Sequence, residues 1–309
     1  MTHPLLVNPT TALVEDAVSA HLGRRWRVTS VVDRHERSSH PAAILEGDSL
    51  AIFAKLVAAN DAREQVDSEL AGLRLIGDLA EVRVPVPIGS GRLDLPDGSY
   101  VLMLEALDER IDRSPEDWRA IGQVLGCMHQ VVGQSYGAAV DGYLGPLRMD
   151  NRHVPSDSWL EFYATRRVLP WLRTAREVGA VDAGTAVRVE TLVGRLAEFS
   201  GPEPEPRLLH GDAQHHNFVS TNKGAVVIDS SPFFGHPELD LALLDYFSAV
   251  PDDTWAGYSE VRAIDDGLGD RRELWRVFAY LGAVSVDSSS EFGRLYLSRL
   301  DGALRRYVG

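Results

Sequence analysis

The chain has 309 residues, and its 45 acidic side chains outnumber 31 basic ones, which gives a formal net charge of -14. Near-ordinary glycine and proline usage, together with 44% hydrophobic residues, excludes collagen-like, low-complexity and disordered chains. A nonspecific nucleic-acid binder needs clustered cations to neutralise phosphates, so the acidic balance argues against a nucleic-acid partner.

The lone cysteine, Cys127, cannot form an internal disulfide, which indicates a reducing compartment. The N-terminal segment lacks the basic start of a signal peptide, and Glu15 and Asp16 interrupt it before a long apolar stretch develops. No apolar run approaches the roughly 18 residues of a membrane span. We therefore expect a soluble, cytoplasmic protein with no membrane and no protein partner.

The first third of the chain mixes helix and strand patterns. A helix is predicted from Thr10 or Thr11 to Gly23, and a second one over residues 61–76. Segments rich in β-branched and aromatic residues predict strands at 25–32, 42–46, 49–57 and 99–105, with a hairpin turn at Gly47 and Asp48. Residues 1–106 thus form a small α+β lobe, in which Pro85 and Pro87 lie in an extended connection.

Beyond residue 107 the pattern becomes mainly helical. Helices are predicted over residues 114–132, 158–178, 182–199, 237–249, 271–286 and 291–307. Ser114 is a capping residue followed by a first-turn proline. Residues 107–309 therefore form a second, larger lobe.

The most informative stretch is residues 207–229, RLLHGDAQHHNFVSTNKGAVVID. It places His210, Asp212 and Asn217 in a loop between two short apolar runs, and Asp229 at the end of a β-branched run. Phosphoryl transfer needs a carboxylate to orient the attacking hydroxyl and hard oxygen ligands for magnesium. This stretch supplies both.

The spacing HxDxxxxN, followed by an aspartate twelve residues later, resembles the catalytic and metal-binding loops of the protein-kinase-like superfamily. More narrowly, HGDxxxxN resembles the aminoglycoside phosphotransferase and fructosamine kinase families. The resemblance implies a two-lobed α+β kinase-like fold with ATP or GTP as phosphoryl donor. It also implies that Asp212 is the catalytic base, that His210 supports its loop, and that Asn217 and Asp229 bind Mg²⁺.

An enzyme of this type also needs a cation on the donor phosphates, held by an acid on a neighbouring helix. Lys55 lies in the predicted strand LAIFAKLV, where a buried ammonium requires a partner. Of the two glutamates that follow, Glu69 lies within the apolar helical stripe and Glu64 nearly opposite it. That stripe consists of Val66, Leu70, Leu73 and Ile76. Glu69 is therefore the predicted partner of Lys55.

The remainder of the donor site is inferred from the same resemblance. The loop DRHERSSHPAA contains no glycine, so either Ser38 and Ser39 with their backbone amides cover the phosphates, or the loop is more open. The nucleotide base should lie against the stretch that joins the lobes, which includes Met103, Glu105 and Leu107. Backbone groups bind the base there, and both ATP and GTP remain possible donors.

Several segments of the larger lobe also resemble fructosamine kinases. These are YLGPLRMDN, SWLEFYATRRVLPWLR, GHPELDLALLDYF and EFGRLYLSRLDGALRRYV. In that family the aspartate at the position of Asp240 is expected to brace the catalytic loop. The alternative is an acid at a helix start, favoured there by the helix dipole.

The acceptor is less well defined by the sequence. Fructosamine kinases are expected to carry Leu-Trp-Ser-Gly where this chain has residues 213–216, AQHH. We therefore favour a small sugar-containing antibiotic, of the aminoglycoside or nucleoside type, as acceptor, with a resistance function. A fructosamine or ketosamine kinase in deglycation is the alternative, and a nucleotide-binding pseudokinase is a lesser one.

Aromatic residues after the metal-binding aspartate are candidates for the acceptor site. In a kinase-like fold this region flanks the acceptor side of the cleft, where aromatic faces stack on a ring. Phe233, Phe234, Trp255 and Tyr258 are therefore predicted to contact the acceptor, with Asp240 in the same region. The alternative is that these aromatic residues belong to the core.

Overall fold

The computed structural model describes residues 3–34 and 38–309. In the described part of the smaller lobe, an antiparallel sheet has the strand order β1-β2-β3-β5-β4. Its strands are β1 (Ser30–Asp33), β2 (Ala42–Glu46), β3 (Ala51–Val57), β4 (Pro87–Asp94) and β5 (Tyr100–Glu105). The register places Lys55, on the central strand, between Ala42 and Leu102.

Strands β1 and β4 differ from the sequence-based prediction. β1 begins at Ser30, so residues 25–29 precede the sheet. β4 was predicted as an extended connection because of its prolines, but it pairs with β5 at the edge of the sheet. An edge strand tolerates Pro87, and the register shift between Pro87 and Arg92 accommodates the glycines between them.

Two helices pack on this sheet after a short 3₁₀ turn at Pro4–Leu6. α1 (Thr10–Leu22) buries Val14 and Val18, and it ends at Gly23, which has a φ of 65°. α2 (Ala62–Ala80) buries Val66 and Leu73 against β3 and β5. Further along α2, Ile76 packs into the core of the larger lobe. α2 therefore bridges the two lobes.

The larger lobe is mainly helical, as predicted. Its helices are α3 (Pro115–Gln130), α4 (Trp159–Phe162), α5 (Leu169–Glu177), α6 (Ala183–Gly194), α7 (Leu196–Phe199), α8 (Glu238–Leu244), α9 (Asp252–Val261), α10 (Leu268–Val286) and α11 (Glu291–Val308). The predicted helix over residues 158–178 is divided into α4, a π-helical segment at Tyr163–Val168, and α5. Within the described chain, no helix combines the length and hydropathy of a membrane span.

Short strand pairs hold the loops between these helices. They are β6 (Gly142–Leu144) with β7 (Leu147–Met149), β8 (Arg207–Leu209) with β11 (Phe233–Gly235), and β9 (Phe218–Thr221) with β10 (Gly224–Val227). The loop that carries Asp212 connects β8 to β9, and Asp229 lies between β10 and β11. Since β8 pairs with β11 and β9 with β10, this topology brings the two carboxylates into one region.

Helix α9 was not predicted from the sequence. It carries Trp255 and Tyr258, and its packing determines where these two candidate residues lie. An added Cβ at Gly122 of α3 would lie 1.9 Å from the Thr254 carbonyl oxygen, and one at Gly257 would lie 2.1 Å from the Arg119 carbonyl oxygen. These glycines allow the backbones of α3 and α9 to approach closely. Trp255 and Tyr258 therefore belong to a helix packed on α3.

Candidate active site

A buried carboxylate, that of Asp240, binds the loop that carries Asp212. The backbone amide of His210 donates to Asp240 Oδ2 at 2.6 Å, and that of Gly211 donates to Asp240 Oδ1 at 3.1 Å. Gly211 has a φ of 82°, and a Cβ there would lie 2.0 Å from the Ser231 carbonyl oxygen, so this position requires glycine. His210 is fully buried, and its Nδ1 accepts a hydrogen bond from the Asp212 amide at 3.2 Å.

The carboxylate of Asp212 is held by two side-chain amides. Asn217 Nδ2 donates to Asp212 Oδ2 at 2.9 Å and to its backbone oxygen at 2.9 Å, while Gln214 Nε2 donates to Oδ2 at 3.1 Å. Burial nevertheless raises the pKa of Asp212 to about 6. A carboxylate that is fixed in direction and has a raised proton affinity suits a group that orients a hydroxyl and accepts its proton.

Asn217 and Asp229 present the oxygen ligands that Mg²⁺ prefers. Because the Asn217 amide nitrogen is used by Asp212, its Oδ1 is the atom left for a cation. Asp229 has a φ of 47°, a conformation that aspartate tolerates better than most residues. Both residues line the same two cavities. An amide oxygen and a carboxylate at the edge of both cavities are ligands that fit a magnesium ion.

Lys55 contacts two carboxylates at the back of the cleft. Its Nζ lies 2.6 Å from Glu69 Oε2 and 2.9 Å from Asp229 Oδ1. Burial alone would lower the pKa of Lys55, but these two acids raise it above its usual range, so the ammonium stays charged. Glu64 is exposed on the other side of α2. The predicted choice of Glu69 over Glu64 therefore agrees with the geometry.

A cavity of about 970 Å³ lies between the lobes. Its apolar wall contains Ile44, Phe53, Leu104, Val219 and Ile228, which suits the faces of a nucleotide base, and its polar end contains Glu69, Asn217 and Asp229. Glu105, Leu107 and Ser38 line this cavity, and Ser39 lines a smaller neighbouring one. Met103 does not line either described wall, because its side chain packs into the core of the smaller lobe.

The aromatic residues predicted to bind the acceptor lie outside the described walls of both cavities. Phe233 is 1% exposed and stacks on Phe162. Tyr258 is 1% exposed and its hydroxyl meets His129. Phe234 packs against Gly133, and the ring of Trp255 lies under the guanidinium of Arg272. The prediction of acceptor contact is therefore wrong for Phe233 and Tyr258, which are buried in the core, whereas for the partly exposed Phe234 and Trp255 it stays a prediction.

Asp240 was also grouped with the acceptor residues, and it too is fully buried. It cannot contact an acceptor. Its two carboxylate oxygens bind the catalytic-loop amides, as described above. These two bonds are the contacts that a residue bracing the loop would make, as the family resemblance implied. The alternative, an acid placed at a helix start only for the helix dipole, does not account for them.

The sequence analysis missed several cavity-lining residues. Trp118, His216 and Phe247 line the larger cavity, and Tyr143 and Gln65 line the smaller one. The segment YLGPLRMDN, which contains Tyr143, resembled the family but carried no assigned role. A polar tyrosine followed by a glycine turn between two short strands is the signal that could have drawn attention to it.

Comparisons with known proteins identify the family of this chain. The sequence profile described as fructosamine kinase matches residues 10–308. A solved structure from Thermobifida fusca that carries the name fructosamine-3-kinase is 31% identical, with 98% of this chain and 99% of that one covered and a TM-score of 0.79. The ketosamine-3-kinase of Mus musculus is 26% identical over 257 residues, which covers 74% of this chain and 81% of the mouse protein.

The likeness to antibiotic-modifying enzymes is more distant. The structure of a thermostable mutant of the aminoglycoside phosphotransferase APH(4)-Ia is 15% identical, with 96% of this chain and 99% of that one covered and a TM-score of 0.66. At that identity the comparison supports the two-lobed kinase-like fold alone. The profile match spans nearly the whole chain, and on that basis this protein belongs to the fructosamine kinase family.

Proposed function

We propose that this chain transfers the γ-phosphoryl group of ATP to a hydroxyl of a ketosamine, an amine that carries a rearranged sugar chain. The observation that carries the proposal is the fructosamine kinase profile match over residues 10–308. The ketosamine-3-kinase of mouse, similar over 81% of its own length, supports the same acceptor class. The sequence-based preference for an antibiotic acceptor has no comparable support.

The residues of the cleft have distinct tasks in this reaction. Asp212, oriented by Asn217 and Gln214, accepts the proton of the acceptor hydroxyl as the oxygen attacks phosphorus. Lys55 provides the cation for the donor phosphates, and Glu69 holds its ammonium in place. When bound, Mg²⁺ supplies charge neutralisation at the phosphates, and Asn217 and Asp229 are the residues that would hold it.

The presence of all the expected catalytic and metal-binding residues argues against a pseudokinase. A silent relative would have lost the lysine, the base or a metal ligand, whereas Lys55, Asp212, Asn217 and Asp229 line one continuous cleft. The proposed acceptor class implies a role in deglycation. The lone cysteine is the reason for proposing the cytoplasm as the compartment. ATP is proposed as donor because relatives of this fold have been solved with ADP and AMP-PNP, and GTP is a second arm of the test.

A substrate panel tests the proposal directly. Release of ADP or GDP is measured with ATP or GTP and magnesium in the presence of a glycated lysine, an aminoglycoside or a nucleoside antibiotic. We expect turnover with the glycated lysine and a product heavier by one phosphoryl group in mass spectrometry. The Asp212→Asn variant is the control for contaminating kinases. Turnover of an antibiotic, with none of the glycated lysine, would overturn the assignment.

A further inference from the structure

The two exposed aromatic side chains of the described chain lie side by side. Phe247 is 42% exposed and Phe292 is 45% exposed, and their ring centroids are 6.5 Å apart with an interplanar angle of 24°. Leu295, one helical turn after Phe292 on α11, is 48% exposed. We call Phe247, Phe292 and Leu295 the rim patch. Neighbouring apolar side chains that face solvent commonly mark an interaction site.

Buried tyrosines hold the rim patch from beneath. The ring of Tyr296 lies 4.5 Å from that of Phe292 and 5.0 Å from that of Tyr246, and the Tyr246 ring lies 5.0 Å from that of Phe247. Arg299 Nη1 donates to the Tyr246 backbone oxygen at 2.9 Å. Because these contacts fix the position of both phenylalanines, a ligand that binds there does not have to order them, which lowers the cost of binding.

The rim patch is continuous with the cleft. Phe247 lines the larger cavity, where His215 and His216 lie on the same wall. Ser248 Oγ lies 2.8 Å from His215 Nε2, and this hydrogen bond attaches the segment that carries Phe247 to the loop that carries Asp212. The patch therefore begins at the cleft and extends over the surface along α11. None of its three residues is among those assigned to the nucleotide or its cation.

The interval between the rim patch and the reacting atoms is short. His215 follows Asp212 by three residues, which span at most about 11 Å even when extended. A lysine side chain that carries a sugar on its Nζ atom spans a comparable distance. A sugar hydroxyl can therefore reach Asp212 while the polypeptide that bears the lysine stays at the rim of the cleft.

The charges beside the rim patch favour an apolar ligand. The three side chains of the patch are uncharged, and the exposed Glu291 and Arg294, one turn apart on α11, have opposite signs. The patch thus lacks the concentrated positive charge that attracts phosphate groups. Its aromatic faces suit the side chains of apolar residues.

We propose that the rim patch binds apolar side chains next to a glycated lysine, so that the preferred acceptor is a ketosamine on a polypeptide with apolar residues beside the modified lysine. This inference rests on the proposed function, whose acceptor class it narrows. It concerns a surface that leads out of the cleft, so it can fail while phosphorylation of ketosamines holds.

The test compares three acceptors that differ only outside the sugar. They are free glycated lysine, a peptide with leucine on both sides of the glycated lysine, and the same peptide with serine in place of leucine. We expect the wild-type protein to have a kcat/KM about tenfold higher for the leucine peptide than for the serine peptide. In Phe292→Ala and in Leu295→Gln this ratio should fall towards one.

Leu79→Gln is the matched control for Leu295→Gln. Leu79 is 44% exposed on α2 and lies outside the described walls of both cavities, so its replacement should leave the ratio unchanged. The ratio also protects the test against a folding defect, because lost stability lowers turnover of all three acceptors alike. Equal kcat/KM values for the two peptides in the wild type would overturn the proposal, and so would a preference that survives in both rim-patch variants.

A second copy of this chain is the rival occupant of the rim patch. Light scattering measures the mass of the wild type and of Phe292→Ala, and we expect the same mass for both. A wild-type dimer that Phe292→Ala dissociates would overturn the proposal in favour of self-association. If no ketosamine is phosphorylated, the proposed function fails and this inference fails with it. Turnover of free glycated lysine without a preference for the leucine peptide defeats this inference alone.

Discussion

The backbone nitrogen of His210 lies 2.6 Å from Oδ2 of Asp240, and both residues are fully buried. The same Asp240 oxygen lies 3.2 Å from His129 Nε2, and the Tyr258 hydroxyl lies 2.9 Å from His129 Nδ1. One hydrogen-bonded chain therefore connects α3, α8 and α9 to the loop that carries Asp212. Residues far from the reacting atoms thus determine where Asp212 lies.

Asp240→Asn should lower turnover more than it lowers nucleotide affinity. The new amide group cannot accept from both backbone amides, so a buried donor loses its partner, at a cost of about 1–3 kcal/mol. We expect a lower melting temperature and a reduced kcat at temperatures where the variant remains folded. Tyr258→Phe, which removes only the outermost bond of the chain, should have a smaller effect. Wild-type kcat and melting temperature in Asp240→Asn would contradict the bracing role.

Asp212→Asn should keep ADP binding and lose turnover by about 10²- to 10⁴-fold, the usual range for a general base. The asparagine preserves shape but does not accept the acceptor proton, and Asp212 is not part of the base-binding cavity. Calorimetric titration with ADP measures nucleotide binding, and steady-state kinetics measure the loss of turnover. Retention of most of the turnover would remove Asp212 from the role of base.

The glutamates of α2 provide an internal control for the ion pair. Lys55→Ala should raise the nucleotide KM and lower kcat, and Glu69→Ala should act in the same direction more weakly, because Asp229 still contacts the ammonium at 2.9 Å. Glu64→Ala should be close to wild type, since that side chain is exposed. Parallel kinetics of the three variants test this order, and equal losses at Glu64 and Glu69 would refute it.

Asp229→Ala should abolish the response of activity to magnesium. The fold should survive, because the side chain is 40% exposed at a strand end and its loss leaves Lys55 paired with Glu69. Activity is measured across a magnesium titration, and circular dichroism verifies folding. A folded variant that retains magnesium-dependent turnover would show that the metal is held elsewhere.

Buried neutral histidines should contribute a loss of stability in mild acid. Burial lowers the pKa of His236 from 6.5 to about 4, and its Nδ1 accepts a hydrogen bond from the Glu238 amide at 3.2 Å, which protonation would break. As the pH falls, the unfolded chain binds this proton near pH 6.5, whereas the folded chain binds it only near pH 4. The free energy of unfolding therefore decreases as the pH falls from about 6.5 to 4. Each proton contributes up to about 1.4 kcal/mol per pH unit.

Urea unfolding at a series of pH values measures this dependence. His236→Asn keeps an acceptor for the Glu238 amide and removes the titration, so its stability should change less steeply over the same interval. Burial also lowers the pKa values of His129 and His210, so some slope should remain. An identical slope in the wild type and the variant would exclude a contribution from His236.

The candidate site could be predicted from the sequence where its residues lie close together along the chain. His210, Asp212 and Asn217 lie in one short loop, and the strand that ends at Asp229 follows directly, so their spacing implies their proximity. The choice of Glu69 followed from helical periodicity alone. The predicted boundary between lobes at residues 106 and 107 stays a prediction, although β5 ends at Glu105.

Other features depended on contacts between distant segments, for which the sequence has no local signal. Phe233 and Tyr258 were predicted to contact the acceptor because they follow the catalytic loop, but close packing of α9 on α3 and of β11 on β8 buries them. An aromatic side chain gains as much from core burial as from ligand contact, so residue type does not separate the two. Only the tertiary structure, by packing α9 on α3 and by bringing Asp240 to the backbone amides of His210 and Gly211, decided which of these residues are buried and which line the cavities.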